Sequence, residues 1–291
     1  TDVGIWKYFG RHWRSWFPEL GSRTTFAQQA ANLWVVKQRL YQQLLIDLGA
    51  ATDFIRLVDG CPLLVCGLTR AQQCRRFPEI ADLGYCAAKK QYYHGLHGHL
   101  RITFDGVITA CTVTPASGDE REALWELTDG VRGLVMGDKG YISAFLQAEL
   151  ATVGIDLQTP LRANMTDPRP PRVVQQLTNT RRLVETVIGQ LVEQFHFEKI
   201  RARDVWHLTS RIVRKILAHT WGIFMNRQAV GQTCNLRAYR LKVEHRVFIG
   251  IALAFGVQNT FAGDAWLVIT SEPPGATIAV DNTYRGVTPQ H

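Results

Sequence analysis

Several things are missing from this sequence, and each absence argues against a class of protein. No two cysteines are spaced as CxxC, and none of the six (Cys61, Cys66, Cys74, Cys86, Cys111 and Cys234) stands at zinc-finger spacing from a histidine. The pattern argues against a zinc ribbon or a disulfide framework, and for reduced, mostly buried thiols in a cytoplasmic protein. No apolar run approaches the ~18 residues that a membrane helix needs. The nearest, Val247 to Val257, is too short to span. Acids are the scarcer charge, 25 against 33 Lys and Arg, for a net charge of +8 and a pI near 9.3. That deficit favours a polyanionic partner. No internal repeat is visible. Position 1 is Thr rather than Met, so the expectation is that the start of the protein is missing.

What is present is a globular composition, 46% apolar and 20% charged, long enough for one large domain or two ordinary ones. The stretch that organises it is Gly133-Leu134-Val135-Met136-Gly137-Asp138-Lys139-Gly140-Tyr141-Ile142. An apolar run reads as a buried strand, and a glycine-rich turn follows an aspartate at its end. Open α/β sheets keep ligands at the carboxyl ends of strands. A carboxylate there is costly without a cation or hydrogen bonds. Asp138 is therefore either a metal ligand or the cap of a helix starting near Ser143.

In chain order, residues 1–20 are aromatic and basic. Helical spacing follows from Phe26 to Leu48, with Thr24 or Thr25 as cap and Gly49 as stop. This predicts a helical N-terminal region, either a DNA-end-binding module or a plain support. Phe54–Val58 reads as a strand whose apolar part ends at Asp59-Gly60 and which, after Pro62, either bends or continues past a kink through Leu63–Cys66; residues 70–90 read as a basic loop. Two strands, Tyr92–Leu100 and Arg101–Val113, are expected to turn at Phe104-Asp105-Gly106. A helix over 120–127, the strand 133–137, a helix over 143–153, a strand over 155–160, a loop over 162–172 and a helix over 173–195 follow. Basic helical material occupies 197–227. Mixed strands followed by alternating helices predict an α/β sheet covered by helices.

Three acids stand out: Asp59 and Asp138 at strand ends, and Glu185 within a helix. Hard divalent cations take oxygen ligands, and two ions held by carboxylates activate an attacking oxygen and stabilise a leaving one in phosphodiester chemistry. Arg181, one helical turn before Glu185, is read either as a phosphate contact or as an intrahelical ion pair. Lys139 is read as a phosphate contact or an exposed lysine. His97 and His99 share one side of a strand and His94 takes the other, which makes a chelate of all three unfavourable.

Four ordered blocks carry a resemblance: Leu57-Val58-Asp59-Gly60; residues 84–95, from Gly84-Tyr85-Cys86 to His94-Gly95; Leu134-Val135-Met136-Gly137-Asp138-Lys139-Gly140-Tyr141; and Arg181-Arg182-Leu183-Val184-Glu185-Thr186. Over about Trp6 to Arg227 the chain resembles a DDE transposase of bacterial insertion sequences, with insertion-sequence family 982 the nearest likeness. The resemblance implies an RNase H-like mixed sheet flanked by helices. It implies Asp59, Asp138 and Glu185 as the catalytic, metal-binding triad for Mg2+ or Mn2+, two ions in all. Its partners would be DNA, as terminal inverted repeats and target, with a homodimer in the DNA complex and no membrane. Arg181, Lys139, Lys89, Lys90, Arg211, Arg214 and Lys215 are the expected DNA contacts. Related families show Y-x2-R-x3-E-x6-K around the last acid. Here Arg181 fits, but Thr178 stands at the tyrosine position and Val192 at the lysine position.

The resemblance stops near Arg227. A basic segment, the apolar run 247–257 and a small-residue site at 261–265 look like a secretory signal peptide in the wrong place. Residues 269–289 resemble the start of a PEGA domain. The expected division is a helical region over 1–50, a catalytic domain over 51–227, a linker over 228–265 and a short β-rich tail over 266–291. The tail reads as a fusion with the start of a secreted protein, or as a genuine accessory domain. The corresponding alternatives for the whole are an inactive, DNA-binding remnant and a surface-associated PEGA protein.

Overall fold

A computed structural model describes residues 2–87, 89–230, 277–280 and 283–287. Two compact units are present, Thr1–Gly256 and Val257–His291. The first carries a six-stranded sheet. β1 (Ile55–Cys66) pairs antiparallel with β3 (Gln91–Thr103) along one edge and parallel with β5 (Gly133–Met136) along the other. β6 (Ile155–Gln158) continues the parallel side. The far edge of β3 is shared by β2 (Asp82–Cys86) over its first residues and β4 (Ile108–Pro115) over its last. The β3–β4 turn falls at Phe104–Gly106, as its Asp-Gly signal predicts. β2 lies inside the stretch read from sequence as a loop.

Strand alternation divides the core. Leu57, Cys61 and Leu63 of β1 pack with Leu177, Val184, Val187 and Leu191 of α6 (Pro171–Glu193) and with Leu208, Ile212 and Ile216 of α7 (Val205–Val230). Val58, one residue out of phase, packs on the other side with Leu124 and Leu127 of α4 (Glu120–Thr128) and Leu146 and Leu150 of α5 (Ala144–Thr152). The buried stripe of α6 recurs at helical spacing, each residue contributing about 1.5–3 kcal/mol by burial. Asp119 caps α4 and Ser143 caps α5. Asp138 therefore is not the cap of α5.

The N-terminal region is helical: α1 (Asp2–His12), α2 (Arg23–Asn32) and α3 (Trp34–Asp47). The run read as one helix over 26–48 breaks at Leu33, and Ser22 supplies the cap of α2. These helices are tied to the sheet and α7. Buried Lys37 donates to Ala30 O and, at 2.9 Å, to Ser210 Oγ, while Tyr41 Oη donates to Ile108 O at 2.6 Å. Among the described residues no helix is long and apolar enough to cross a membrane. In the second unit β7 (Thr277–Val280) and β8 (Thr283–Val287) form an antiparallel pair. The signal-peptide-like run 247–257 lies outside the described residues.

Candidate active site

Asp59 lies in the middle of β1, not at its end. The strand continues through Gly60 because every residue to Leu64 keeps a partner on β3, and Cys66 pairs with His94. Pro62 fits because its missing N–H points away from β3. Leu64, in the same phase, sends its N–H to Glu198 O at 2.8 Å. Asp59 shares the phase of Leu57 and Cys61, so it faces α6. Burial pushes its carboxyl up to about 7. The Gly60 N–H, at 2.8 Å, and the Arg181 charge oppose that rise, while Asp138 and Glu120 add to it.

Asp138 stands one residue beyond Gly137, which follows the end of β5 at Met136, and accepts from the Lys139 N–H, capping a single 3-10 turn over Lys139–Tyr141. The parallel pairing of β5 beside β1 brings it towards Asp59. From α6, Arg181 Nη2 lies 3.3 Å from Asp138 Oδ1 and 3.8 Å from Glu185 Oε1. One guanidinium thus bridges the second and third acids. The pair with Glu185 is the intrahelical ion pair that the sequence offered as one alternative; the shorter contact, to Asp138 on another element, was not foreseen. The Glu185 side chain is 60% exposed, open to a ligand.

Sequence reading missed two further groups, Glu120 and the Tyr141 hydroxyl, and named His97 as a polar strand residue beside His99. Glu120, the first residue of α4, has its carboxyl pushed up by burial and then by Asp138. A Cβ at Gly140 would come within 2.2 Å of Glu120 Oε2, so the glycine leaves the space this acid occupies. His97 is admitted in the same way by Gly60, where a Cβ would meet its Nε2 at 2.2 Å. That nitrogen is buried without a hydrogen bond and stands 3.8 Å from Glu120 Oε1, too far to donate; burial keeps the ring's pKa low. The ring stacks on His99 at 4.7 Å, so this pair does share a face. The Tyr141 hydroxyl is buried beside the acids without a partner among the described residues, its pKa raised by burial and then by Glu120, Asp59 and Asp138. The signal that could have found Glu120 is the glycine facing it, Gly140.

The predicted DNA-contacting cations divide sharply. Arg211 Nη2 lies 2.9 Å from Asp2 Oδ2, and Arg214 binds the other oxygen of that buried carboxylate. Lys215 donates to Phe195 O and, at 3.1 Å, to His196 O, and burial lowers its pKa to about 8. These three serve the packing of α7 as placed, which corrects the expectation that they face phosphate. Helical periodicity turns them inward, where Asp2 and the carbonyls ending α6 need donors. Lys89 pairs with Glu198 at 2.5 Å. Lys90 and Lys139 are exposed, as are Arg70, Arg75 and Arg76. Tyr85 and Tyr92 pair across β2 and β3, exposed and with ring centroids 4.9 Å apart.

The acids offer hard oxygen donors, and burial of Asp59 without full compensation is what a divalent cation would relieve. Mg2+ suits this donor set; a soft metal does not. The acids are not drawn together in advance, however. Among the described residues, the one group of three potential ligand atoms within 4.8 Å of one another is Cys66, Cys74 and His94.

A family model described as Transposase DDE domain matches residues 49–205. No curated protein matches the chain. A cryo-EM structure of piggyBac transposase, a synaptic complex with hairpin DNA, aligns with a TM-score of 0.41 and 11% identity, covering 73% of this chain. The chain spans 59% of the length of that one.

Proposed function

The chain belongs to the Transposase DDE domain family, and from that premise we propose that it is a DNA transposase, hydrolysing a phosphodiester at each end of an insertion sequence and then joining the freed end to target DNA. One observation carries the reading: Arg181 of α6 pairs with both Asp138, after β5, and Glu185, and its charge also acts on Asp59 of β1. The strand order supports an RNase H-like sheet: β4-β3-β1-β5-β6, with β3 antiparallel and β5 and β6 parallel to β1.

DDE transposase domains generally use divalent metal ions. Asp59, Asp138 and Glu185 would hold two Mg2+, or Mn2+, which supply activation of the attacking oxygen and stabilisation of the leaving one. The chain's own residues do the rest. Asp59 must lose its proton before it can ligate, so cation binding strengthens as pH rises through about 7. Arg181 neutralises Asp138 and Glu185 in the absence of other cations. An arriving phosphate competes for its guanidinium and releases both carboxylates. In the first step water attacks phosphorus and the bond to the 3′ oxygen breaks. In the second the freed 3′-hydroxyl attacks a target phosphorus and expels its 3′ oxygen. No covalent enzyme intermediate is needed.

The finer assignments belong to the same proposal: a member like insertion-sequence family 982, cytoplasmic, binding terminal inverted repeats and target DNA as a homodimer. The DNA face would carry Arg70, Arg75, Arg76, Lys90 and Lys139, with Tyr85 and Tyr92 as stacking surfaces. Residues 1–50 would aid end binding, 51–227 form the catalytic domain, 228–265 a linker and 266–291 a PEGA-like fragment acquired by fusion. The β7–β8 pair supports a β-rich tail.

The test is nicking of duplexes taken from the DNA flanking the reading frame, with and without Mg2+. Metal-dependent nicking lost in Asp138→Asn, with end binding retained, supports the proposal. Undiminished nicking by Asp138→Asn would overturn the triad. Thr178 and Val192, at positions where relatives carry Tyr and Lys, favour a second reading as a DNA-binding remnant. End binding without nicking at any metal concentration would decide for it.

A further inference from the structure

A second set of ligand-type side chains gathers at the C-terminal end of β1, past Asp59. Cys66 is the last residue of β1, just past a bulge after Leu64, and it pairs in register with His94 of β3. Cys74 ends the short 3-10 segment Leu68–Gln73, its N–H bonded to Ala71 O at 3.1 Å. The two sulfurs and one imidazole nitrogen all lie within 4.8 Å of one another. All three residues are partly buried, and neither cysteine is in a disulfide. The Cys66 thiol hydrogen-bonds Cys74, and the charges of Arg76 and Arg70 act on it.

We propose that Cys66, Cys74 and His94 form a structural zinc site with water as the fourth ligand. Bond lengths of about 2.3 Å to sulfur and 2.0–2.1 Å to nitrogen place tetrahedral ligand atoms about 3.5–3.8 Å apart, inside the observed separation. Thiolate and imidazole are the donors zinc takes over magnesium, so this site and the carboxylates would not compete for one ion. Loading exchanges two thiol protons for one Zn2+, the protons leaving to solvent, and Arg70 and Arg76 favour the thiolates so formed. The ion would fasten three elements together: the end of β1, the basic segment 67–76 and the first residues of β3. It would thereby fix Arg70, Arg75 and Arg76 relative to the sheet.

The test uses the full chain purified under reducing conditions. One equivalent of zinc by elemental analysis is expected. After chelation, Co2+ should give a thiolate-to-cobalt charge-transfer band that saturates at one equivalent and is reversed by zinc. Cys74→Ser and His94→Gln should lower the affinity at least tenfold, while Cys86→Ser and Asp59→Asn keep the band. Circular dichroism of each variant separates loss of the site from loss of the fold, and the wild-type titration stands without any variant. A wild-type chain with no band at one equivalent would overturn the proposal. So would a band unchanged in a folded Cys74→Ser chain, or a Cys66–Cys74 disulfide found in the reduced preparation.

Discussion

β1 carries two clusters of opposite character, seven residues apart. Around Asp59 the donors are carboxylates, and they stay apart, with a guanidinium set between two of them. At Cys66 the donors are thiols and an imidazole, and they close to within 4.8 Å. The difference follows from charge. Carboxylates repel unless a cation stands among them, whereas neutral thiols and imidazole can approach with no compensation. The acidic site is therefore completed by what binds it, and the sulfur site is assembled beforehand. The first should bind its cation weakly and with strong dependence on pH and DNA, the second tightly and without DNA.

The sharpest way to break this contrast is to remove one acid. Asp138→Asn or Glu185→Gln should lower nicking by at least roughly 10²-fold, as expected on losing a group that stabilises transition-state charge. Zinc content should be unchanged in both. Loss of zinc along with activity would show that the two clusters are one system.

Asp59→Asn should stabilise the metal-free protein at pH 8 by about 1–3 kcal/mol and have little effect at pH 4. The sign follows from a folded-state pKa of about 7 against an ordinary value of 3.8. The folded chain holds this proton more tightly, so the wild type loses stability as pH rises from about 4 through 7, and Asn avoids that loss. Denaturant unfolding at the two pH values reads it. Equal effects at both would place the cost of Asp59 in packing rather than ionisation.

Arg181→Gln separates the bridge from the site it bridges. Without a competing cation, Mg2+ should bind the DNA-free chain about 3–10-fold more tightly, while binding of terminal DNA weakens. Calorimetry with Mg2+ alone makes the distinction, and weaker Mg2+ binding would mean that Arg181 organises the acids instead of occupying their place. The smallest effect expected is from Gly140→Ala. The added Cβ displaces the flexible end of Glu120, costing under about 1 kcal/mol in thermal unfolding.

The position of Asp138 just past a strand was legible from the glycines beside an acid after an apolar run. The position of Glu185 within a helix, one turn after Arg181, was legible from helical spacing, whereas the triad itself came from the resemblance. The strands were legible where alternation is clean, as in β3 and β4. Asp59 was misplaced at a strand end because Gly60 and Pro62 look like a stop. Only the edge they occupy, where β5 has already ended, lets the strand run on. β2 was hidden in a basic, turn-like stretch that pairs only because β3 is long enough to hold two partners. The sulfur cluster was invisible for a related reason: its ligands come from a strand end, a loop and a second strand, at separations that match no zinc pattern. Spacing reports a site only when neighbouring residues build it.

The Asp2 carboxylate, buried between Arg211 and Arg214, changes what the excess of positive charge means. A cation already matched inside the fold carries few loosely held ions from solution, and it neither gathers them nor sheds them when DNA docks. Arg211 and Arg214 share the one Asp2 carboxylate, so the trio contributes +1 rather than +2 to the net charge of +8 and adds little to counterion release. For the proposed DNA partner, the dependence of affinity on salt would then be set by the exposed cations, Arg70, Arg75, Arg76, Lys90 and Lys139 among them, and would be shallower than composition suggests.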